Sequence, residues 1–267
     1  MSQASYLRSF TATPDRAAYW KQLIGIDLRT LALFRVMLAI TCMMQIFTLL
    51  PDSFAIFDDR GIFPRRDAFV WQDVNYWSLY YFNGQVEWAY ILFAVTILAS
   101  LALLVGYRTR MAIIVCWVLI YSLTVRIPIF TSGAHMLLPI LLFWAMFVPL
   151  GARFSVDAAL SKEPRGDNAY TSGATLGLLL QMGCLYLFSG LLKDHPIWNE
   201  MGTAIYYVMH TDDMHTPLGT YLGQWPKLMQ GLTFFVYYLE LVSVFFLFSP
   251  VQNAYCRLAI WQLLFGL

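Results

Sequence analysis

The chain has 267 residues, 59% of them hydrophobic and only 12% charged, with a formal net charge of +1. Soluble domains carry about twice that share of charged residues, so the composition is that of a chain solvated by lipid. The 17 Lys and Arg residues are scattered over polar connections and form no stripe, which excludes nucleic acid as a partner.

Residues 1–30 form a positively charged amino-terminal arm with no short apolar core and cleavage site, so the first span is expected to act as its own targeting signal. A helix needs about twenty mostly apolar residues to cross the hydrocarbon. On that criterion six spans are expected, at residues 31–50, 86–106, 111–130, 133–150, 172–192 and 231–249. A further apolar stretch from Ala254 to Leu267 is too short to cross, so a partial helix, or a chain that continues past Leu267, is expected there. Strict alternation of apolar and polar residues is absent, which argues against a barrel. The expected fold class is an all-α, polytopic helical membrane protein, with one membrane domain over residues 31–267 and no internal repeat.

Basic residues set the expected orientation. Arg8, Arg16, Lys21, Arg29, Arg108, Arg110, Arg153, Lys162, Arg165 and Arg257 fall on one side, against Arg60, Arg65, Arg66, Lys193 and Lys227 on the other. The positive-inside rule places the amino terminus in the cytoplasm and the long connections 51–85 and 193–230 outside. The four cysteines, Cys42, Cys116, Cys184 and Cys256, lie singly in apolar surroundings with neither C-x-x-C nor zinc spacing, and read as small core residues.

Ionisable residues inside spans are costly and therefore candidates for function. Arg35, near the start of the first span, is close enough to an interface to snorkel. Glu240, central in VYYLELVSV, is expected to face the bundle and pair with an arginine, for structure or for function. Arg126, His135 and Lys193 all fall at the outer ends of their spans. Desolvation disfavours the charged form of an amine, so a lysine at such a boundary suits general-base work, and a neutral imidazole can steady developing charge. On charge and position alone, snorkelling of Lys193 and capping by His135 is the simpler alternative. In the second outer loop, His210, Asp212, Asp213 and His215 are ligand types for a divalent ion, but their spacing matches no metal pattern and reads as a polar turn, so no metal is expected. FDDRGIFPRRDAF, residues 57–69, likewise reads as a solvated loop.

The ordered set LALFRVMLA, FDDRGIFPRR, GAHMLLPILLFWAMFVPLGARFSVD and YLFSGLLKDHPIW resembles the horizontally transferred transmembrane domain of vitamin K-dependent gamma-carboxylases and their bacterial relatives. The resemblance implies that Lys193, three residues after Gly190, is the base that deprotonates a vitamin K hydroquinone or related menaquinol, with Trp198 at the family's tryptophan position. His135, about twenty residues before Arg153, Ser155, Val156 and Asp157, looks like the family's second functional position. It further implies molecular oxygen and carbon dioxide as co-substrates and a secreted peptide as a partner whose glutamates are carboxylated. The carboxylases have two adjacent lysines where this chain has Leu192 and Lys193, and an asparagine where it has Ala134. With the quinone site, Arg126 and Glu240 are grouped as cofactor-binding candidates. The expected location is a bacterial inner membrane, with the site on the periplasmic face. The alternative is a non-enzymatic accessory for maturation or export of a secreted peptide or toxin. A transporter ranks third, since the paired broken spans of that class are not evident.

Overall fold

The computed structural model describes residues 20–21, 23–70, 76–130, 133–161, 168–211 and 217–248. Its main helices are Leu28–Leu49 (α1), Val86–Val105 (α2), Thr109–Arg126 (α3), Gly133–Ala145 (α4), Gly173–Leu191 (α5) and Pro226–Leu247 (α6). All but α4 are long and apolar enough to cross a membrane. The protein is thus an all-α, polytopic integral membrane protein. The apolar stretch after Ala254 and the amino-terminal arm before Trp20 lie outside the described residues.

The stretch expected to be the fourth span is shorter than its apolar run. α4 has 13 residues and contains Pro139, which at 1.5 Å per residue is about 20 Å, short of the roughly 30 Å of hydrocarbon. Pro149 has no N–H to offer the carbonyl of Ala145, and the chain leaves the helix there.

By their contacts the residues fall into two compact units, residues 25–178 and residues 179–267 with 1–24. In the first unit α1 packs along α2, α2 along α3 and α3 along α4. α1 contains neither Gly nor Pro, and Asp27 caps its start, the carboxylate accepting from the Arg29 N–H at 2.7 Å. Just before it, Ile26–Asp27 (β1) pairs antiparallel with Ala169–Tyr170 (β2). Leu38, Cys42 and Ile46 of α1 recur at four-residue spacing and meet Phe93 and Leu103 of α2 and Ile113, Cys116, Ile120 and Leu123 of α3 in one core. Small side chains meet between α2 and α3, where the Ser100 hydroxyl lies 3.7 Å from the Cys116 sulfur. The opposite faces expose Leu33, Met37, Met44, Phe47 and Leu98, an arrangement that only a hydrocarbon solvent tolerates.

Two buried arginines tie the connections of this unit to its helices. Arg35 is 1% exposed, so it does not snorkel as expected; its Nη2 donates to the Phe154 carbonyl at 2.6 Å. Gly106 ends α2 with φ +73°, and a Cβ there would lie 2.0 Å from Arg35 Nη1, so both the backbone and the close approach require glycine. Asp157, in the short helix Val156–Leu160, accepts from the backbone N–H groups of Arg108 and Thr109, both at 2.8 Å, and from the Thr109 hydroxyl at 2.6 Å, capping α3. Burial works against its charge, but the Thr109 hydroxyl and these N–H groups hold the carboxyl below its ordinary range.

Arg126, at the end of α3, is 0% exposed and donates through Nη2 to the carbonyls of Ile56 at 2.9 Å and Phe63 at 2.7 Å. Its guanidinium lies over the rings of Phe57 and Phe63, at 5.6 and 5.4 Å from their centroids. The segment expected to be a solvated loop is therefore folded down, with Phe57, Asp58 and Phe63 buried. Asp58 pairs with Arg60 at 2.8 Å and caps α2 through the Val86 N–H, while Asp59 pairs with Arg65 at 2.6 Å. The hydrogen bonds from Arg60 and Arg65 hold the two carboxyls below the usual carboxylate range.

Candidate functional site

The second unit is built on the second half of α5 and on α6. α5 presents Gly183, Tyr186, Gly190 and, just past its end, Lys193, spaced three and four residues apart and hence on one helical face. This face is turned toward α6. A Cβ on Gly183 would lie 2.9 Å from Val244, and one on Gly190 would lie 2.9 Å from Leu241 and 3.4 Å from the Cβ of Glu240. The two glycines let the backbones approach, and they set the level at which Glu240 faces α5.

Lys193 follows as a consequence. Its N–H bonds back to the Gly190 carbonyl at 3.2 Å, closing the last turn. Its Nζ then reaches Glu240, 2.6 Å from Oε1 and 2.6 Å from Oε2. The side chains are 17% and 12% exposed, so the pair is largely removed from solvent. A carboxylate in the middle of an apolar helix needs such a countercharge, since an unpaired one there costs several kcal/mol. The expected partner of Glu240 is an arginine; the structure supplies a lysine instead.

Trp198 completes the cluster. The chain turns after Lys193, and His195 caps the short helix Pro196–Asn199, its Nδ1 accepting from the Ile197 N–H at 3.3 Å. That helix places the Trp198 ring 4.3 Å from Lys193 Nζ. The following segment is pinned to α6 by the Gln230 amide, which donates to the Met201 carbonyl at 2.9 Å, and by Thr233, which accepts from the Ile205 N–H at 3.2 Å. Gly202, at φ +65°, fits against Gln230 and Phe234 where a Cβ would lie 2.8 Å from each.

Of the residues singled out in the sequence, Lys193, Glu240 and Trp198 are thus brought together. Arg126 and His135 lie in the first unit. Arg126 is engaged by the folded loop, and His135 is the third residue of α4, half-buried, its carbonyl accepting from the Thr124 hydroxyl at 3.5 Å. His210 gives its Nδ1 to the Tyr206 carbonyl at 2.7 Å, and Asp212, Asp213 and His215 lie outside the described residues. Among the described residues no group of three or more His, Cys, Asp or Glu could hold a metal. Cys42 and Cys116 are buried, as expected of small core residues, whereas Cys184 is exposed on α5; Cys256 lies outside the described residues.

The link between Lys193 and Glu240, 47 residues apart, had a signal in the sequence. Glu240 is the single acid in α6, and Lys193 the single charge in residues 171–193. Two lone opposite charges in neighbouring apolar helices satisfy each other at lower cost than either does alone. No family model, curated protein or solved structure matches the chain.

Proposed function

We propose that the protein is a vitamin K-dependent gamma-carboxylase-like membrane enzyme that removes a proton from a reduced quinone, with carboxylation of a peptide glutamate as the coupled step. The observation that carries this reading is the Lys193–Glu240 pair at the end of a membrane helix, against the ring of Trp198. An acid–base pair beside an aromatic side chain and within an apolar surrounding suits a lipid-soluble aromatic hydroxyl, which would reach it through the bilayer. The fit is chemical: the pair can exchange a proton, and Trp198 offers an aromatic neighbour.

The pair takes the hydroxyl proton, and Trp198 helps to orient the ring. The bound hydroquinone, with oxygen, would supply the strong base needed to open a glutamate carbon to carbon dioxide. In this reading six segments cross a bacterial inner membrane, the amino terminus is cytoplasmic, and the Lys193 end of α5 faces the periplasm, where a secreted peptide is available.

The test is turnover by purified protein of vitamin K hydroquinone or menaquinol under oxygen, with epoxide detected by mass spectrometry. Lys193→Ala is expected to abolish it, and the folded fraction is checked by size-exclusion chromatography. A wild-type protein that forms no epoxide from either quinol, or a Lys193→Ala variant as active as wild type, refutes the reading.

A further inference from the structure

The geometry points to Glu240 as the proton acceptor of this pair, with Lys193 as the cation that holds the oxygen left behind. This rests on the reading that the pair meets an aromatic hydroxyl, and it divides the labour differently from a lysine base.

A base needs a lone pair directed at its substrate. Lys193 Nζ has both Glu240 oxygens at 2.6 Å and the Trp198 ring at 4.3 Å. An ammonium satisfies this surrounding, giving N–H groups to the two oxygens and a positive surface to the negative face of the ring. A neutral amine does not: with its two N–H groups on the carboxylate, its lone pair would be turned toward the ring's negative face. The carboxylate is the opposite case. Its two oxygens offer about four acceptor sites, and among the described residues Lys193 is the one side chain that uses them; the Ser243 hydroxyl binds the backbone carbonyl of Glu240, not its carboxylate. Of the other titratable groups, Tyr186 on α5 is within electrostatic range of Glu240.

The charge balance favours the same assignment. When the substrate O–H bond breaks, its electron pair stays on the substrate oxygen and the proton moves to a Glu240 oxygen. Glu240 becomes neutral, and the ammonium it had neutralised turns to the new oxyanion. One anion replaces another beside the same cation, so no net charge is created where separated charge is most costly. The pair therefore suits a neutral hydroxyl donor.

Arginine keeps the charge of lysine but cannot serve as a base, which makes the assignment testable. In quinol turnover, Lys193→Arg is expected to stay within about tenfold of wild type and Lys193→Met to fall well below it. Glu240→Gln is expected to fall by a factor of about 10²–10⁴, the usual contribution of a general base. A Lys193→Arg variant that loses as much as Glu240→Gln, or a Glu240→Gln variant that keeps wild-type turnover, overturns the proposal.

A second readout needs no quinol. Acylation of Lys193 by a small amine reagent at pH 8, followed by mass spectrometry with exposed Lys227 as internal reference, reports the free amine. In wild type Lys193 is expected to label far more slowly than Lys227, and Glu240→Gln to raise its rate about tenfold or more. Labelling of wild-type Lys193 at the Lys227 rate, or no rise in Glu240→Gln, overturns the proposal. Absence of turnover in wild type defeats the proposed function alone, since the labelling still decides whether the resting lysine is held as a cation.

Discussion

Arg126 and Lys193 are both cations withdrawn from water at the end of an apolar helix, yet their surroundings differ in kind. Arg126 is held by two backbone carbonyls and two phenyl rings. Lys193 is held by one carboxylate and one indole. Carbonyls and rings are fixed dipoles and quadrupoles that cannot take up a proton, so the first arrangement can only anchor. A carboxylate can change its charge, so the second can do chemistry. The comparison teaches that burial of a charge in a membrane protein is not by itself a sign of function; what decides is whether the partner can titrate.

Truncations should separate the two most sharply. Arg126→Ala removes the donor from the Ile56 and Phe63 carbonyls and a cation from between two rings, and is expected to destabilise the protein by about 3–5 kcal/mol, the range for large-to-small changes in a core. Thermal unfolding in detergent measures it, and faster proteolysis within residues 51–70 should accompany it. An Arg126→Ala protein with unchanged melting would mean that the loop is held by other contacts.

Gly190→Leu tests how the second site is assembled. A side chain there must displace Leu241, so a cost of about 1–3 kcal/mol is expected from overpacking, along with a slower Lys193–Glu240 cross-link by a zero-length carbodiimide reagent. The same change at exposed Gly133, which has open space around its Cβ position, should leave melting within about 1 kcal/mol of wild type apart from helix propensity.

Replacing the pair as a whole should cost least. Lys193→Met combined with Glu240→Leu removes both charges, and such replacements are often neutral or stabilising; melting within about 1 kcal/mol of wild type, with turnover lost, would mark the pair as present for chemistry. A double variant as unstable as Arg126→Ala would instead make the pair an anchor like the first.

The smallest effect concerns pH. Asp157 is held below the usual carboxylate range by the Thr109 hydroxyl and two N–H groups. A carboxyl depressed in the folded state contributes stability above its unfolded value, near 3.9, and the contribution is lost as pH falls through the folded value. Stability measured from pH 5 to pH 2 should therefore decline more gently in Asp157→Asn than in wild type, and an unchanged slope would remove Asp157 from the capping account.

Much of this was legible because lipid is a demanding solvent. A helix must be about twenty residues long to cross it, and five of the six apolar stretches agree with the helices to within five residues at each end. The fourth apolar stretch runs past the end of its helix, because hydropathy does not register that Pro149 withdraws a hydrogen bond from α4. Lys193 and Glu240 stood out as lone charges for the same solvent reason, and Gly190 was visible as an offset from Lys193 before its packing on Leu241 gave that offset a cause. The reading of residues 57–69 as a solvated loop failed because polar residues that pair with one another, as Asp58 with Arg60 and Asp59 with Arg65, can accompany rings into a folded segment.

The amino-acid sequence by itself determined that this chain lives in a bilayer, roughly where it crosses, and which charges stand out there, since each follows from the cost of exposing polar groups to hydrocarbon. Only the tertiary structure decided the partners. Arg35 and Arg126 each donate through Nη2 to backbone carbonyls, which every residue possesses and which therefore leave no mark in a sequence. Lys193 meets Glu240 because two glycines bring their helices together at one level, a matter of geometry between segments and not of composition within them.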